Sequence, residues 1–335
     1  MQCLFKSERR GAGDVCPLPD SKGGAFGGVW GKAPTINAGG NDVKYICKLC
    51  PRECGAERLD DSGKGYCHQG TLPKVARIAP HFWEEPCISG ERGSGAIFFS
   101  GCVMSCVFCQ NSKISTGGYG KIISVKELSE HIRRLEDMGV HNINLVSPTP
   151  YIESIIECFE IYKPKIPIVY NTGGYEKVET LQRLDGIVDI YLPDMKYARG
   201  DVAKKYSNAE DYPETALKAI SEMVRQTGDP EFDGKGMMKK GTIVRHLILP
   251  QNTKNSIMVL DLLKEHFEDE ILVSLMAQYT PLGNAERFPE INRKITSREY
   301  AKVLEHFEET GLDGFVQELS SAKKDYVPEF DVSLI

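Results

Sequence analysis

The chain has 335 residues, 41 of them basic and 47 acidic, for a net charge of −6. Nothing in that balance favours capture of nucleic acid or of an anionic membrane, and no apolar run approaches the roughly 20 residues that cross a bilayer. The opening Met1-Gln2-Cys3-Leu4-Phe5-Lys6 lacks the apolar core of a secretory signal, so the 11 cysteines, clustered at metal-ligand spacing, read as metal sites in a reducing cytoplasm rather than as disulfides.

Residues 1–43 carry paired glycines and scattered prolines with no helical or strand period, and read as a low-order extension. Residues 44–73 differ in kind. Cys47-x2-Cys50-Pro51-Arg52-Glu53-Cys54 is followed by Cys67, four thiols in one short segment. That is how small domains hold a metal without a core of their own. The spacing leaves both zinc and a second iron–sulfur cluster open. Residues 74–95 read as a connector. Its aromatics suit the end of a barrel, and His81, Glu84, Glu85 and Cys87 are polar groups near the presumed site, but a loop clamped by Trp83 is the expected role.

The chemistry concentrates in Gly101-Cys102-Val103-Met104-Ser105-Cys106-Val107-Phe108-Cys109, directly after the apolar run Ala96-Ile97-Phe98-Phe99. Three thiolates hold three irons of a four-iron cluster and leave one iron with no protein ligand. An open position separates a reactive metal site from a closed structural one. A zinc knuckle is the plainer alternative, but three cysteines are one short of a closed tetrahedral site. The C-x3-C-x2-C triplet, with Phe108 before its third cysteine, resembles the signature of the radical S-adenosylmethionine (radical SAM) enzymes. The resemblance implies a [4Fe-4S] cluster on Cys102, Cys106 and Cys109, whose open iron is chelated by S-adenosylmethionine (SAM). Reductive cleavage then gives a 5′-deoxyadenosyl radical that abstracts a hydrogen atom. The phrase Cys-x2-Cys-Pro-Arg-x-Cys, and the wording of 80–90, resemble the members of that family similar to pyruvate formate-lyase activating enzyme.

A βα alternation follows. Strands are expected at 96–99, 143–146, 168–170, 188–192, 243–249 and 271–275, with helices between most of them. Ser124 and Glu127 form a capping box that opens a helix over 125–138, and Thr296 and Glu299 form a second that opens the last helix. The stretch 234–240 reads as a solvated loop, a flap at most. Short apolar strands alternating with helices build a parallel sheet buried on both faces, either a doubly wound sheet or a barrel. The cysteine loop after the first strand decides for the partial (β/α)6 TIM-like barrel of the radical SAM type, spanning 96–320, with 321–335 as a tail.

In this architecture active-site residues follow the carboxyl ends of the strands. The second strand ends in Ser147-Pro148-Thr149-Pro150, where many family members carry a Gly-Gly-Glu motif for the methionine amino group; only the hydroxyls of Ser147 and Thr149 stand there. Asn171-Thr172-Gly173-Gly174, Asp194-Met195-Lys196 and the Val-Arg-x-x-x-x-Pro run at Val244 and Arg245 are similar to stretches of glycyl-radical activating enzymes. The resemblance gives Asn171, Asp194, Lys196, Arg245 and Thr149 to SAM, with Gln278 and Tyr279 as weaker candidates. His246 and Cys158 read as core. The expected activity is hydrogen abstraction from a protein or peptide such as a glycyl radical enzyme, with electrons from a flavodoxin or ferredoxin. The alternative is a non-catalytic iron–sulfur or zinc protein, with Cys87 completing the ligation.

Overall fold

The computed structural model describes residues 2–4, 45–319, 329–333 and 335. Apart from Gln2–Leu4, the extension expected at 1–43 lies outside the described residues, as do 320–328 and 334. One mixed sheet forms the frame. Its strands are β1 (Lys74–His81), β2 (Ser94–Phe99), β3 (Ile143–Val146), β4 (Ile168–Thr172), β5 (Ile190–Pro193), β6 (Met238–Leu247), β7 (Leu272–Met276) and β8 (Gly314–Val316). Strands β2 to β8 run parallel in chain order. Antiparallel strands sit at the two edges: β1 beside β2, and Gln2–Leu4 beside β8.

The main helices are α1 (Val125–Asp137), α2 (Ile152–Ile161), α3 (Gly200–Ser207), α4 (Tyr212–Thr227), α5 (Thr253–Phe267) and α6 (Ser297–Thr310). Both expected capping boxes are formed. In α1 the Glu127 amide donates to Ser124 Oγ at 3.2 Å, and the Ser124 amide donates back to Glu127 Oε2 at 2.7 Å. Such a cap contributes about 1 kcal/mol.

Because side chains alternate along a strand, each strand shows one face to the helices and one to the interior. Ile97, Phe99, Leu145 and Tyr170 pack outward against Leu128, Ile132 and Ile155 of α1 and α2. Val244, Val273 and Leu275 pack outward against Leu260 and Leu263 of α5 and Phe307 of α6. The opposite face carries Val169, Ile190, Leu192, Ile243, Leu272 and Phe315, which meet one another around Cys87 and Ile88. Strands whose inner faces share contacts in this way form a curved, open barrel. The short helix Pro86–Ser89 plugs its amino end, with Ile88 fully buried. Burying such a side chain is worth about 1.5–3 kcal/mol.

Three segments differ from the sequence reading. The connector 74–95 holds a full strand and the helical plug. The parallel sheet has a seventh strand, β8, too short to show a period. The stretch read as a solvated flap is a hairpin: Glu231–Phe232 pairs with the start of β6, and Asp233 Oδ1 accepts the amides of Lys235 and Met237 at 2.9 Å each. Its glycines and lysines hid an inward Met238, which is 2% exposed. In the C-terminal segment, Arg77 donates to the Glu329 carbonyl at 2.7 Å and Phe330 packs edge-on against Phe98, ring centres 5.8 Å apart.

Candidate active site

The cysteine loop leaves β2 through Ser100 and Gly101. A side chain at Gly101 (φ +85°) would place its Cβ 2.3 Å from Gln69 Cγ, so only glycine fits. Tyr151 Oη lies 2.9 Å from both Gln69 Oε1 and the Ser100 carbonyl, and its one proton bonds between them. Ser105 takes a left-handed conformation (φ +53°) in the tight turn between the first two cysteines. The three thiols accept local hydrogen bonds: Cys102 from the Met104 amide at 3.4 Å, Cys109 from Ser115 Oγ at 3.4 Å, and Cys106 from Ser207 Oγ at 3.0 Å.

Burial pushes the Cys106 thiol up to about 12, against the pull of Lys196, and pushes Cys109 upward as well. Without a cation these sulfurs hold their protons. A metal's charge is what turns such thiols into thiolates. The donor set suits three irons of a cluster.

All three cysteines border one cavity of about 220 Å³, together with Asn171, Asp194, Lys196, Arg245 and Glu84. Arg245, at an inward position of β6, organises the polar wall. Its Nε donates to Asp194 Oδ1 at 2.9 Å, one Nη to Asn171 Oδ1 at 2.6 Å and the other to Glu84 Oε2 at 3.3 Å. Asp194 also pairs with Lys196. Burial opposes ionisation of Asp194, but Lys196 and Arg245 hold it below the ordinary aspartate value. Burial opposes the charge on Lys196 too, and Asp194 and Cys106 overcome it to raise that lysine. Four of the five residues assigned to SAM from sequence therefore meet beside the thiols.

Thr149 is the exception. Its hydroxyl donates to Glu176 Oε1 at 2.6 Å, in a buried group with Tyr170 and Thr172, and it does not border the cavity. The turn at Ser147 (φ +58°) rotates Thr149 away while Ser147 stays at the cavity wall. Gln278 and Tyr279 also border the cavity. Gln278 Oε1 accepts from Gln317 at 3.2 Å, and Tyr279 Oη donates to the Ile291 carbonyl at 2.8 Å. His246 points outward into the core, its Nδ1 2.7 Å from the Met195 carbonyl, and burial pushes it down to about 4. Cys158 is buried on α2. Cys87 packs at the amino end of the strands with Ile88, in a different cluster from Cys102 and Cys106.

Glu84 was assigned from sequence to a clamped loop, but it sits inside the barrel. Its Oε1 accepts from Asn144 Nδ2 at 3.1 Å and from Asn171 Nδ2 at 3.2 Å, and Oε2 faces Arg245. Burial raises its carboxyl above the ordinary value despite Arg245. The signal for this residue was Asn144, a polar side chain at an inward position of an otherwise apolar strand.

The Cys-rich segment is a small hairpin, Tyr45–Ile46 against Glu57–Arg58, packed under the cysteine loop. Cys47 and Cys50 are buried, Cys67 half-buried and Cys54 exposed. Among the described residues, no three His, Cys, Asp or Glu side chains converge as they would around a single ion. No helix is long and apolar enough to cross a membrane among the described residues.

Residues 96–263 match the profile of the Radical SAM superfamily. An uncharacterised protein of Methanocaldococcus jannaschii is 30% identical over 277 residues, 80% of this chain and 75% of its own length. A radical SAM methyltransferase of Sphaerobacter thermophilus superposes with a TM-score of 0.46 at 14% identity, over 66% of this chain and 65% of that one. The Streptococcus suis protein SuiB, bound to precursor peptide SuiA, gives 0.49 at 17%, over 68% of this chain and 49% of its own. A domain of pyruvate-formate lyase-activating enzyme from Bacteroides vulgatus gives 0.35 at 13%, over 50% of this chain and 89% of that one. The chain thus spans less than two thirds of the first two of these structures.

Proposed function

The chain belongs to the radical SAM superfamily, and we propose that it cleaves SAM reductively in order to take a hydrogen atom from a protein or peptide, in the manner of the glycyl-radical activating enzymes. The observation that carries this reading is a single cavity bordered both by three thiols and by a buried acid–base group. On this reading Cys102, Cys106 and Cys109 hold a four-iron cluster with one open iron. Cluster and SAM together supply, when bound, a 5′-deoxyadenosyl radical.

The chain's own residues do the rest. Lys196 offers an ammonium to the methionine carboxylate, close enough to Cys106 to sense its charge. Asp194 and Asn171 offer acceptors to the ribose hydroxyls. Arg245 fixes both of them and keeps Asp194 ionised. Glu84 supplies the carboxylate that the missing Gly-Gly-Glu motif would have given to the methionine amino group. Intrabarrel charges are costly unless used or paired, and these are linked in one network poised for a zwitterionic ligand. The walls around them exclude water from a reactive intermediate.

The preference for a protein or peptide substrate is supported by the Asn-Thr-Gly-Gly turn, the Asp-x-Lys and the Val-Arg-x-x-x-x-Pro run, all similar to activating enzymes. A low-potential flavodoxin or ferredoxin supplies the electron, and the protein works in the cytoplasm. The carrier alternative needs a fourth thiol at the triplet, and Cys87, its candidate, packs elsewhere.

The test is anaerobic incubation of the reconstituted, dithionite-reduced protein with SAM. Deoxyadenosine from the wild type and none from Cys106→Ala is expected. No deoxyadenosine from iron-replete, reduced wild type would overturn the reading. Deuterium transfer into deoxyadenosine from a labelled peptide, but not from labelled small metabolites, then tests the substrate class.

A further inference from the structure

We propose that Cys47, Cys50, Cys54 and Cys67 bind a second metal centre as a tetrathiolate, with Arg58 as a counter-charge and Arg52 tying its segment to the barrel. One zinc ion or one four-iron cluster held by four thiolates keeps the same residual double negative charge. The inference stands apart from the chemistry at the triplet.

The first observation is the placing of the four thiols. Cys47 Sγ lies 3.8 Å from the guanidinium of Arg58, whose Nε donates to the carbonyl of Gln69, two residues past Cys67. A Cβ at Gly65 would lie 3.1 Å from Cys54 Sγ, so glycine lets that thiol sit close. No three of the four converge on a point, and the same is true of Cys102, Cys106 and Cys109.

The second observation is independent of the cysteines. Arg58 is 2% exposed. Its guanidinium donates to the Gln69 carbonyl at 3.0 Å, the Pro150 carbonyl at 2.6 Å and the Gly70 carbonyl, and lies 3.8 Å from Cys47 Sγ. Arg52 donates to the carbonyls of Val103 at 2.9 Å, Ser207 at 3.1 Å and Asn208, between the rings of Tyr66 and Tyr175. Among the described residues neither arginine has a carboxylate partner, whereas the buried Arg245 has two. Burying a guanidinium without an anion is strongly unfavourable. Arg58 reaches the thiol of Cys47, which supplies negative charge as a metal thiolate. Arg58 beside a doubly negative centre offsets part of that charge.

The third is the segment's lack of a core. It has two strands of two residues, and Ile46 and Leu59 remain 57% and 44% exposed. Metal binding supplies the folding energy such a segment lacks. Through Arg52 and Arg58 the centre ties down the Val103 carbonyl, between two thiols of the triplet, and the Pro150 carbonyl beyond β3. Both arginines are positioning residues.

The experiment removes the first site and asks what metal remains. The Cys102→Ala, Cys106→Ala, Cys109→Ala variant is purified anaerobically, reconstituted, and analysed for iron, sulfide and zinc. The expected result is about four iron per chain, or one zinc, retained at wild-type helicity by circular dichroism. That metal is lost on further change of Cys47 and Cys50 to serine, and it is reduced at least about tenfold in affinity by Arg58→Met. Less than a tenth of a metal per chain in a folded triple variant would overturn the proposal, as would retention after the serine changes. If the triple variant does not fold, wild type decides: iron near eight, or four with one zinc, supports the second centre, and four iron without zinc contradicts it.

Discussion

The triplet Cys102, Cys106 and Cys109 faces a cavity in which each cation touches a carboxylate, whereas in the segment of the quartet Cys47, Cys50, Cys54 and Cys67 the arginines Arg52 and Arg58 touch, among the described residues, only carbonyls, rings and a thiol. At the triplet the protein has balanced its own charges and left a wall of donors and acceptors for a polar ligand. At the quartet it has left positive charge over, which suits a closed metal centre. The difference is one thiol in the ligand count, and the charges around each site follow from it: an open site needs groups that exchange partners, a closed site needs fixed counter-charges.

Mutations can break the comparison on either side. Cys106→Ala should cut deoxyadenosine formation by more than about a hundredfold while leaving the quartet's metal in place, as read by metal analysis. Arg245→Met leaves Asp194, Glu84 and Asn171 facing one another without their shared cation. It should cost about 3–5 kcal/mol of stability in urea unfolding, because removing one member of a buried charge group strands the others. Arg245→Lys should recover only part, since an ammonium cannot replace the guanidinium fork. Glu84→Gln keeps the size but loses the charge. It should raise the KM for SAM about tenfold, equivalent to about 1.4 kcal/mol, with a smaller loss of stability than Arg245→Met, because Arg245 keeps Asp194 as its partner. An unchanged KM would make Glu84 a structural plug only.

The smallest effect concerns pH. Burial raises Glu176 from 4.5 to about 7, partly offset by the hydroxyls of Thr149, Thr172 and Tyr170. The folded chain thus holds this proton more tightly than the unfolded chain. The stability it contributes is complete below pH 4.5 and is lost as pH rises to about 7. Glu176→Gln should therefore melt higher than wild type at pH 8 and lose that advantage near pH 5. A pH-independent difference would contradict it.

Much of this was legible in the sequence. The thiol triplet, the parallel strands and both capping boxes follow from spacing and period, and Asn171, Asp194, Lys196 and Arg245 follow from places after or on strands joined to the resemblance to activating enzymes. Glu84 was legible only as a polar group near the presumed site, because its role depends on a connector folding back into the barrel, and periodicity does not report such a path. Thr149 misled, because one left-handed residue, Ser147, turns the chain before it. Arg52 and Arg58 gave no signal, since a cation without an acid partner is recognised only once the fold shows what surrounds it.

The most direct test of the contrast between an open and a closed site is electron paramagnetic resonance of the reduced protein, recorded with and without SAM in wild type and in the Cys102→Ala, Cys106→Ala, Cys109→Ala variant. The account predicts a wild-type signal that changes on SAM addition and is absent from the variant, and that any signal the variant retains ignores SAM. A SAM-induced change in the variant would place the open iron at the quartet and contradict the account.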